Sequence, residues 1–194
     1  MDTLIIGCRT LENELNSAMT ECDCPYDVRW LDSGLHIIPK KLNAELQSIL
    51  DTSGGYLRAL LAFGFCGNAL AGLQSRDMFL IVPRVDDCIS LLLGSQKNRA
   101  ALVEGNGTYF LTEGWLKGEH SIGKEYTHIM EKYGEETGQH IFEGMFGNYK
   151  TLAMLDTGCF DLPRAEAEAM DLAKALRLEY KVIPATVGYL KKLL

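Results

Sequence analysis

The 194-residue sequence lacks the features that mark nucleic-acid-binding, membrane and secreted proteins. No stretch approaches the roughly 18 uninterrupted apolar residues of a membrane-spanning helix. Lysine and arginine are not clustered, and the net charge of −7 disfavours binding to nucleic acids or anionic membranes. The first residues, MDTLIIGCRTLENEL, carry acids where a secretory signal has a basic segment. We therefore expect a cytoplasmic protein with neither a nucleic-acid nor a membrane partner.

Several common ligand-binding motifs are also missing. The sequence has no Cys-x-x-Cys pair, no P-loop lysine motif and no dinucleotide-binding glycine fingerprint. It does have 47% hydrophobic residues, enough for one well-packed domain or two small lobes. It also has six cysteines, which in a reducing compartment are explained by packing, metal binding or reactivity rather than by disulfides.

Short β-rich runs alternate with helical patterns along the chain. The runs predict strands at 3–8, 26–32, 57–65, 78–85, 108–115, 150–156 and 179–184. This alternation predicts an α/β fold with a doubly wound, mostly parallel sheet and helices on both faces. The whole chain, 1–194, is expected to form one domain. The glycine-rich segment EGNGTY is the best candidate for a hinge, which would divide that domain into two similar sub-lobes, 1–104 and 105–194.

Four cysteines follow four predicted strands at the edge where parallel sheets bind ligands. They are Cys8, Cys66, Cys88 and Cys159. Thiols from four strand ends of one sheet can converge, and three or four thiolates suit zinc or an iron-sulfur cluster. We therefore predict these four as metal ligands. Each of them can instead be a buried cysteine that packs as a small hydrophobe.

Other polar residues at the strand ends extend the candidate site. His36 can ligate a metal or move a proton, or can simply bond to the backbone. Cys66 or Cys88, with His36 as a third candidate catalytic residue, can act as a nucleophile activated by a helix N-terminus. The GFCGNALAG segment also resembles a phosphate-cradling turn before a helix. The predicted cofactor-binding residues are Gly64, Gly67, Asn68, Asp86, Asp87, Trp115 and Asp156, although the aspartates can equally be helix caps.

Six ordered motifs together resemble one family. They are CRTLENEL, WLDSGLH, FGFCGNALAGL, PRVDDCISLLLGS, TYFLTEGW and LDTGCFD, which span residues 8–161. Together they resemble the uncharacterised DUF1638 family. Its members occur in anaerobic bacteria and methanogenic archaea, often beside genes for corrinoid-dependent methyltransferases. The resemblance thus implies a setting in methyl-group metabolism, with proteins of a corrinoid methyltransferase system as partners.

Three functional hypotheses follow. The first is a cysteine-ligated metal or iron-sulfur protein in one-carbon or corrinoid-linked metabolism. The second is a metal-free thiol enzyme acting on a small molecule. The third is a non-catalytic protein that binds a corrinoid or another small molecule, although the Asp-x-His-x-x-Gly pattern of base-off cobalamin modules is absent. The chain can also form a homo-oligomer, because the apolar tail VGYLKKLL can dock on a second chain.

Overall fold

The computed structural model describes residues 2–103 and 107–194, and its strands form two parallel sheets. The first sheet, in the order β2-β1-β3-β4, contains β1 (Thr3–Cys8), β2 (Asp27–Leu31), β3 (Arg58–Ala62) and β4 (Phe79–Ile81). The second, in the order β5-β6-β7, contains β5 (Gly107–Leu111), β6 (Tyr149–Asp156) and β7 (Glu179–Pro184).

The helices of the described residues surround these sheets. They are α1 (Glu12–Glu21), α2 (Pro39–Thr52), α3 (Cys88–Leu92), α4 (Gln96–Val103), α5 (Glu113–Lys117), α6 (Ile122–Tyr133), α7 (Glu135–Phe146), α8 (Leu162–Ala175) and α9 (Gly188–Leu193). None of them is long and apolar enough to cross a membrane.

The strand order of the first sheet explains its doubly wound form. β2 lies on one side of β1, whereas β3 and β4 lie on the other. Because parallel crossovers are right-handed, this reversal places α1 and α2 on opposite faces. All six residues of β1 are buried, as expected for a central strand covered on both faces. The predicted α/β fold class with parallel strands and flanking helices is therefore confirmed.

The C-terminal helix packs on the first sheet rather than the second. α9 contacts α1, α3 and β3, and Leu190 is completely buried in the core of that sheet. The apolar tail VGYLKKLL, proposed from the sequence as able to dock on a second chain, thus buries Leu190 within its own chain. The segment 107–194 thus contributes to the hydrophobic core of the first sheet. That core contains residues of both sheets, so the two sheets share hydrophobic contacts. Residues 104–106 of the predicted hinge EGNGTY lie outside the described residues, and residues 107–109 belong to β5.

Several elements differ from the sequence predictions for local reasons. The predicted strand 78–85 is only three residues long as β4, and Pro83, which cannot donate to a ladder, follows shortly after it. The end of the predicted strand 108–115 forms α5 instead, after Thr112 adopts extended backbone. The prediction of a helix within GFCGNALAG is wrong, because this stretch forms successive turns. After α5, α6 ends and α7 begins at Gly134, where φ is +77°.

Candidate functional site

A mostly apolar cavity of about 270 Å³ lies at the carboxyl edge of the first sheet. Its walls include Cys8 at the end of β1 and Phe63 just beyond β3. β1 and β3 are neighbours, but the connections that leave them wind in opposite directions. Such a switch point opens a crevice between the loops and is the usual ligand position in open α/β sheets. The wall residues are Cys8, Thr10, Leu31, Asp32, His36, Leu42, Phe63, Cys66, Gly67, Asp87, Cys88, Ile89 and Trp115.

Three of the four predicted thiol ligands line this cavity. Cys8 is the last residue of β1, Cys66 lies in the loop after β3, and Cys88 is the first residue of α3. Cys159 is not among the wall residues. Its thiol donates a 3.4 Å hydrogen bond to the carbonyl of Thr157 and lies near Lys191 of α9. The structure therefore assembles three thiols, and it places the fourth elsewhere.

The Cys66 loop has an unusual backbone. Cys66, Gly67 and Asn68 adopt φ angles of +45°, +67° and +67°, so three successive residues lie in the left-handed region. Only glycine adopts this conformation without a steric cost, and the other two residues store strain. The amide nitrogen of Ala69 closes the turn by donating to the carbonyl of Phe65 at 3.0 Å. The surrounding structure therefore fixes the position of Cys66 at a cost in free energy, as is common at functional sites.

The thiols of Cys66 and Cys88 interact directly. A hydrogen bond from the Cys88 thiol lowers the pKa of Cys66, although burial and the nearby Asp87 carboxylate act in the opposite direction. The same hydrogen bond, together with burial, raises the pKa of Cys88 well above that of a free thiol. The pair therefore favours one charge distribution, with a thiolate on Cys66 and a proton on Cys88.

Cys8 is held differently from the other two thiols. Its Sγ lies 3.0 Å from Oγ1 of Thr10, and only 9% of the residue is exposed. Burial raises the pKa of Cys8, so this thiol remains protonated at neutral pH. Thr10 lies in the one-turn 3₁₀ helix Arg9–Leu11, where its hydroxyl partners Cys8.

Two polar side chains and one aromatic ring complete the cavity. Asp32 accepts a 2.7 Å hydrogen bond from the amide nitrogen of Gly34, which fixes the turn that carries His36. His36 is therefore placed on the same cavity as Cys66 and Cys88. Among the described residues, Trp115 of α5 is the one wall residue contributed by the segment 107–194.

The remaining predicted cofactor-binding residues have varied positions. Gly67 and Asp87 line the cavity, and Asp87 also caps α3 by accepting from the Ser90 amide at 2.8 Å. Asp86 contributes its backbone carbonyl, which accepts from the Cys66 amide at 2.8 Å. Gly64 packs against the backbone of Asp87. Asn68 faces a separate surface depression, and Asp156 accepts from the amide of Gly158 at the end of β6.

A more polar pocket of about 480 Å³ adjoins the cavity and shares Asp32 with it. Arg9 and Lys117 line this pocket, but each is already paired, with Glu12 at 3.1 Å and Glu113 at 2.7 Å. This pocket could not be predicted from local patterns, because its walls come from two segments about a hundred residues apart. Apolar wall residues such as Phe63 and Leu42 were likewise indistinguishable from ordinary core residues.

The donor chemistry of the three cysteines suits a soft metal, but their present arrangement is not a finished metal site. Across residues 2–103 and 107–194, no three His, Cys, Asp or Glu side chains are grouped so that they could hold a metal ion. Metal binding would therefore require the side chains of Cys8, Cys66 and Cys88 to turn toward a common point.

The fold and the site together define an α/β protein with a thiol-lined cavity at the switch point of a parallel sheet. A family model described as DUF1638, a protein of unknown function, matches residues 30–194. The chain therefore belongs to the DUF1638 family, as its motifs predicted. Cys8 lies before the matched residues, whereas Cys66 and Cys88 lie within them. No curated protein and no solved structure matches the chain.

Proposed function

We propose that this protein is a thiol-dependent enzyme in which Cys66 reacts, as a thiolate, with a soft electrophilic centre of a small molecule. One observation carries this proposal, namely the strained left-handed turn that holds Cys66 on the cavity wall beside Cys88, whose thiol lowers the pKa of Cys66. A thiolate is a far stronger nucleophile than a thiol, so a thiol with a lowered pKa is a good candidate for covalent catalysis. This choice corresponds to the second of the three hypotheses from the sequence.

The cavity walls limit the kind of small molecule that fits. Phe63, Leu42 and Trp115 offer apolar surface, whereas Asp32 and His36 offer polar contacts. A ligand with a small apolar part and one or two hydrogen-bonding groups matches this lining, since specificity in such cavities comes from a few polar groups. His36 is the group proposed to accept or donate the proton during the reaction.

The test is selective alkylation with iodoacetamide at pH 6.5, where a thiol with a lowered pKa keeps an ionised fraction. We expect Cys66 to be carbamidomethylated first, as located by peptide mass spectrometry. Cys66→Ser should remove the fast reaction, and the matched variant Cys159→Ser should retain it. If Cys22, Cys24 or Cys159 reacts as fast as Cys66, the proposal is wrong.

A second candidate function is a metal or iron-sulfur centre held by Cys8, Cys66 and Cys88. The observation that favours it is the presence of three thiols on one cavity, since three protein ligands leave one position open for a substrate. Cys8, Cys66 and Cys88 would hold either zinc or an iron-sulfur cluster, since thiolates are the ligands that both prefer. The centre would supply Lewis-acid or redox chemistry to a ligand in the cavity.

Cys8 separates the two candidates. A metal centre needs Cys8 as a ligand, whereas the nucleophile hypothesis needs only Cys66 and its partner Cys88. We therefore compare wild type with Cys8→Ser after anaerobic purification, by metal analysis and visible spectroscopy. Bound zinc or iron that is lost in Cys8→Ser supports the metal centre. Metal-free wild-type protein that still alkylates at Cys66 supports the thiol enzyme.

The setting of this chemistry remains a separate proposal. Membership of the DUF1638 family supports a place in corrinoid-linked methyl metabolism only through the gene neighbourhood that the resemblance implies. A corrinoid, or a protein of a corrinoid methyltransferase system, is accordingly the proposed partner. Equilibrium dialysis against a corrinoid tests whether the protein binds this cofactor. If the protein retains no corrinoid, the proposal of a corrinoid ligand is wrong.

A further inference from the structure

The loop that carries Cys66 runs alongside the loop that leads into Cys88. The amide nitrogen of Phe65 donates to the carbonyl of Val85 at 2.9 Å, and that of Cys66 donates to the carbonyl of Asp86 at 2.8 Å. These bonds continue the pairing of β3 and β4 beyond the ends of both strands. Cys66 and Cys88 are therefore brought together by the backbone, and not only by the rotamers of their side chains.

The contact between the two loops is unusually close at Gly64. A Cβ atom at this position would lie 2.5 Å from Cα of Asp87, the residue directly before Cys88. Only a glycine permits this approach. The left-handed turn at Cys66 then directs the chain away from β3 and leaves Cys66 on the cavity wall with Cys88.

The other cysteines are not equivalent competitors for Cys66. Cys8 shares the cavity but is engaged with the Thr10 hydroxyl at 3.0 Å. Cys22 and Cys24 lie at the end of α1, where the Cys24 thiol bonds to the Cys22 carbonyl at 3.4 Å. Cys88 is thus the thiol with both a backbone connection to the Cys66 loop and a direct side-chain interaction with Cys66.

We propose that Cys66 and Cys88 form a reversible disulfide by exchange with a low-molecular-weight disulfide, which makes this class of compound a substrate of the cavity. The inference rests on the proposed function in one respect, because it requires Cys66 to react as a thiolate. It adds a second reacting residue, Cys88, and a two-electron reaction that needs no metal.

The exchange has two balanced steps. The Cys66 thiolate attacks one sulfur of the disulfide R–S–S–R, so that a Cys66–S–S–R bond forms and R–S⁻ leaves. The departing thiolate takes the proton of Cys88, whose sulfur attacks Cys66 and releases the second R–S⁻. The protein loses two electrons to R–S–S–R, which is reduced to one R–SH, carrying the proton of Cys88, and one R–S⁻. The second R–S⁻ takes a proton from water, which balances the proton that Cys66 released when it ionised.

The experiment uses oxidised glutathione as the probe on the full chain, after reduction, chelator treatment and desalting. Samples are quenched in acid, alkylated and mapped by mass spectrometry. We expect a Cys66–Cys88 cross-link lighter by two hydrogens, with no retained glutathione, that is reversed by dithiothreitol. Cys88→Ser and Cys88→Ala should stop at a glutathione adduct on Cys66, and Cys159→Ser should behave like wild type.

Two results would overturn the inference in wild-type protein, whether or not the Cys88 variants fold. They are a persistent glutathione adduct on Cys66 and a cross-link that pairs Cys66 with Cys8. Alkylation at pH 6.5 is measured in parallel to separate the two proposals. Fast alkylation of Cys66 without a Cys66–Cys88 cross-link contradicts only the disulfide proposal. If neither fast alkylation nor the cross-link is seen, the proposal of a thiol enzyme is contradicted as well.

Discussion

The backbone of Gly64 lies directly against that of Asp87, and this contact joins the two loops that carry Cys66 and Cys88. The cavity opens at the switch point between β1 and β3. The contact between Gly64 and Asp87 holds Cys66 and Cys88 on its wall. The chemistry proposed for the cavity therefore depends on a residue that has no side chain and does not itself line the wall.

Gly64→Ala should both destabilise the protein and separate the two thiols. The added Cβ meets three backbone atoms of Asp87 within 2.7 Å, so one loop has to move. We expect a loss of about 1–3 kcal/mol in the free energy of unfolding by urea, as for other overpacked sites. Alkylation of Cys66 at pH 6.5 should also slow. Gly54→Ala is the matched control, because nothing lies within 4 Å of its added Cβ, and an equal loss there would contradict the prediction.

Cys88→Ala should shift the pH dependence of Cys66 alkylation upward. The Cys88 thiol is the main cause of the lowered pKa of Cys66, so its removal leaves burial and the Asp87 carboxylate to disfavour the thiolate. The alkylation rate of wild type should reach half of its maximum at a lower pH than that of a free thiol, because the pKa of Cys66 is lowered. In the variant this midpoint should move to higher pH. Profiles of equal midpoint would show that Cys88 does not influence Cys66.

Glu14→Gln should remove a pH dependence of stability. Glu14 is 1% exposed, its Oε1 accepts a 2.9 Å hydrogen bond from the hydroxyl of Thr157, and its Oε2 has no partner among the described residues. Burial raises the pKa of Glu14 above the unfolded value of about 4.3. The stability that this carboxyl contributes is then fully present below about pH 4.3, and it is lost as the pH rises through the folded pKa.

The measurement is urea unfolding of wild type and Glu14→Gln at several pH values between 4 and 8. The amide keeps the acceptor for Thr157 but never ionises, so the variant should become more stable relative to wild type as the pH rises. Glu12→Gln, on an exposed face of the same helix, is the control. A difference that stays constant across this range would contradict the assignment.

Leu190→Ala should destabilise the whole protein. Leu190 is completely buried where α9 packs on the first sheet. Truncation of a buried leucine costs about 2–5 kcal/mol, whereas Leu57→Ala, at a residue that is 60% exposed, should change stability by about 0.5 kcal/mol or less. A single unfolding transition at lower urea concentration is expected. Two separate transitions would show instead that the sheets unfold independently.

Tyr180→Phe should leave stability unchanged or raise it. The Tyr180 hydroxyl is buried and finds no hydrogen-bond partner in the described part of the chain, and burial raises the pKa of this tyrosine to about 12. Removal of an unsatisfied buried hydroxyl can stabilise a protein by about 1 kcal/mol. A loss of more than about 1 kcal/mol in thermal or urea unfolding would indicate a hydrogen bond that the structure does not show.

The alternation of strands and helices was sufficient to predict the fold class, because buried parallel strands such as β1 and amphipathic helices such as α2 have distinct hydrophobic periods. The placement of Cys8, Cys66 and Cys88 on one cavity could be predicted because all three follow strands of one parallel sheet. The separation of Cys159 could not be predicted in this way, because it depends on the division of the strands into two sheets. That division is decided by long-range pairing, which local patterns do not encode.

The local chemistry of the Cys66 loop was also beyond sequence reasoning. GFCGNALAG has the glycines of a phosphate-binding turn, but a helix after Gly67 was expected and three left-handed residues are found. This strained turn is held in place by contacts of its loop with Asp86 and Asp87, which are about twenty residues away in the sequence. The role of Thr10 depended on a similar choice, because a threonine after a strand can cap a helix or bond to the preceding thiol.

The packing of α9 has a consequence for how this polypeptide can be divided. Fragments cut at 104–106 would each contain a complete parallel sheet, but the first would lack the helix that covers its core. We expect such fragments to recover native structure only when mixed, so a split-reporter assay would find them complementary rather than autonomous. On this basis we expect the two sheets to fold as one cooperative unit rather than as two exchangeable modules.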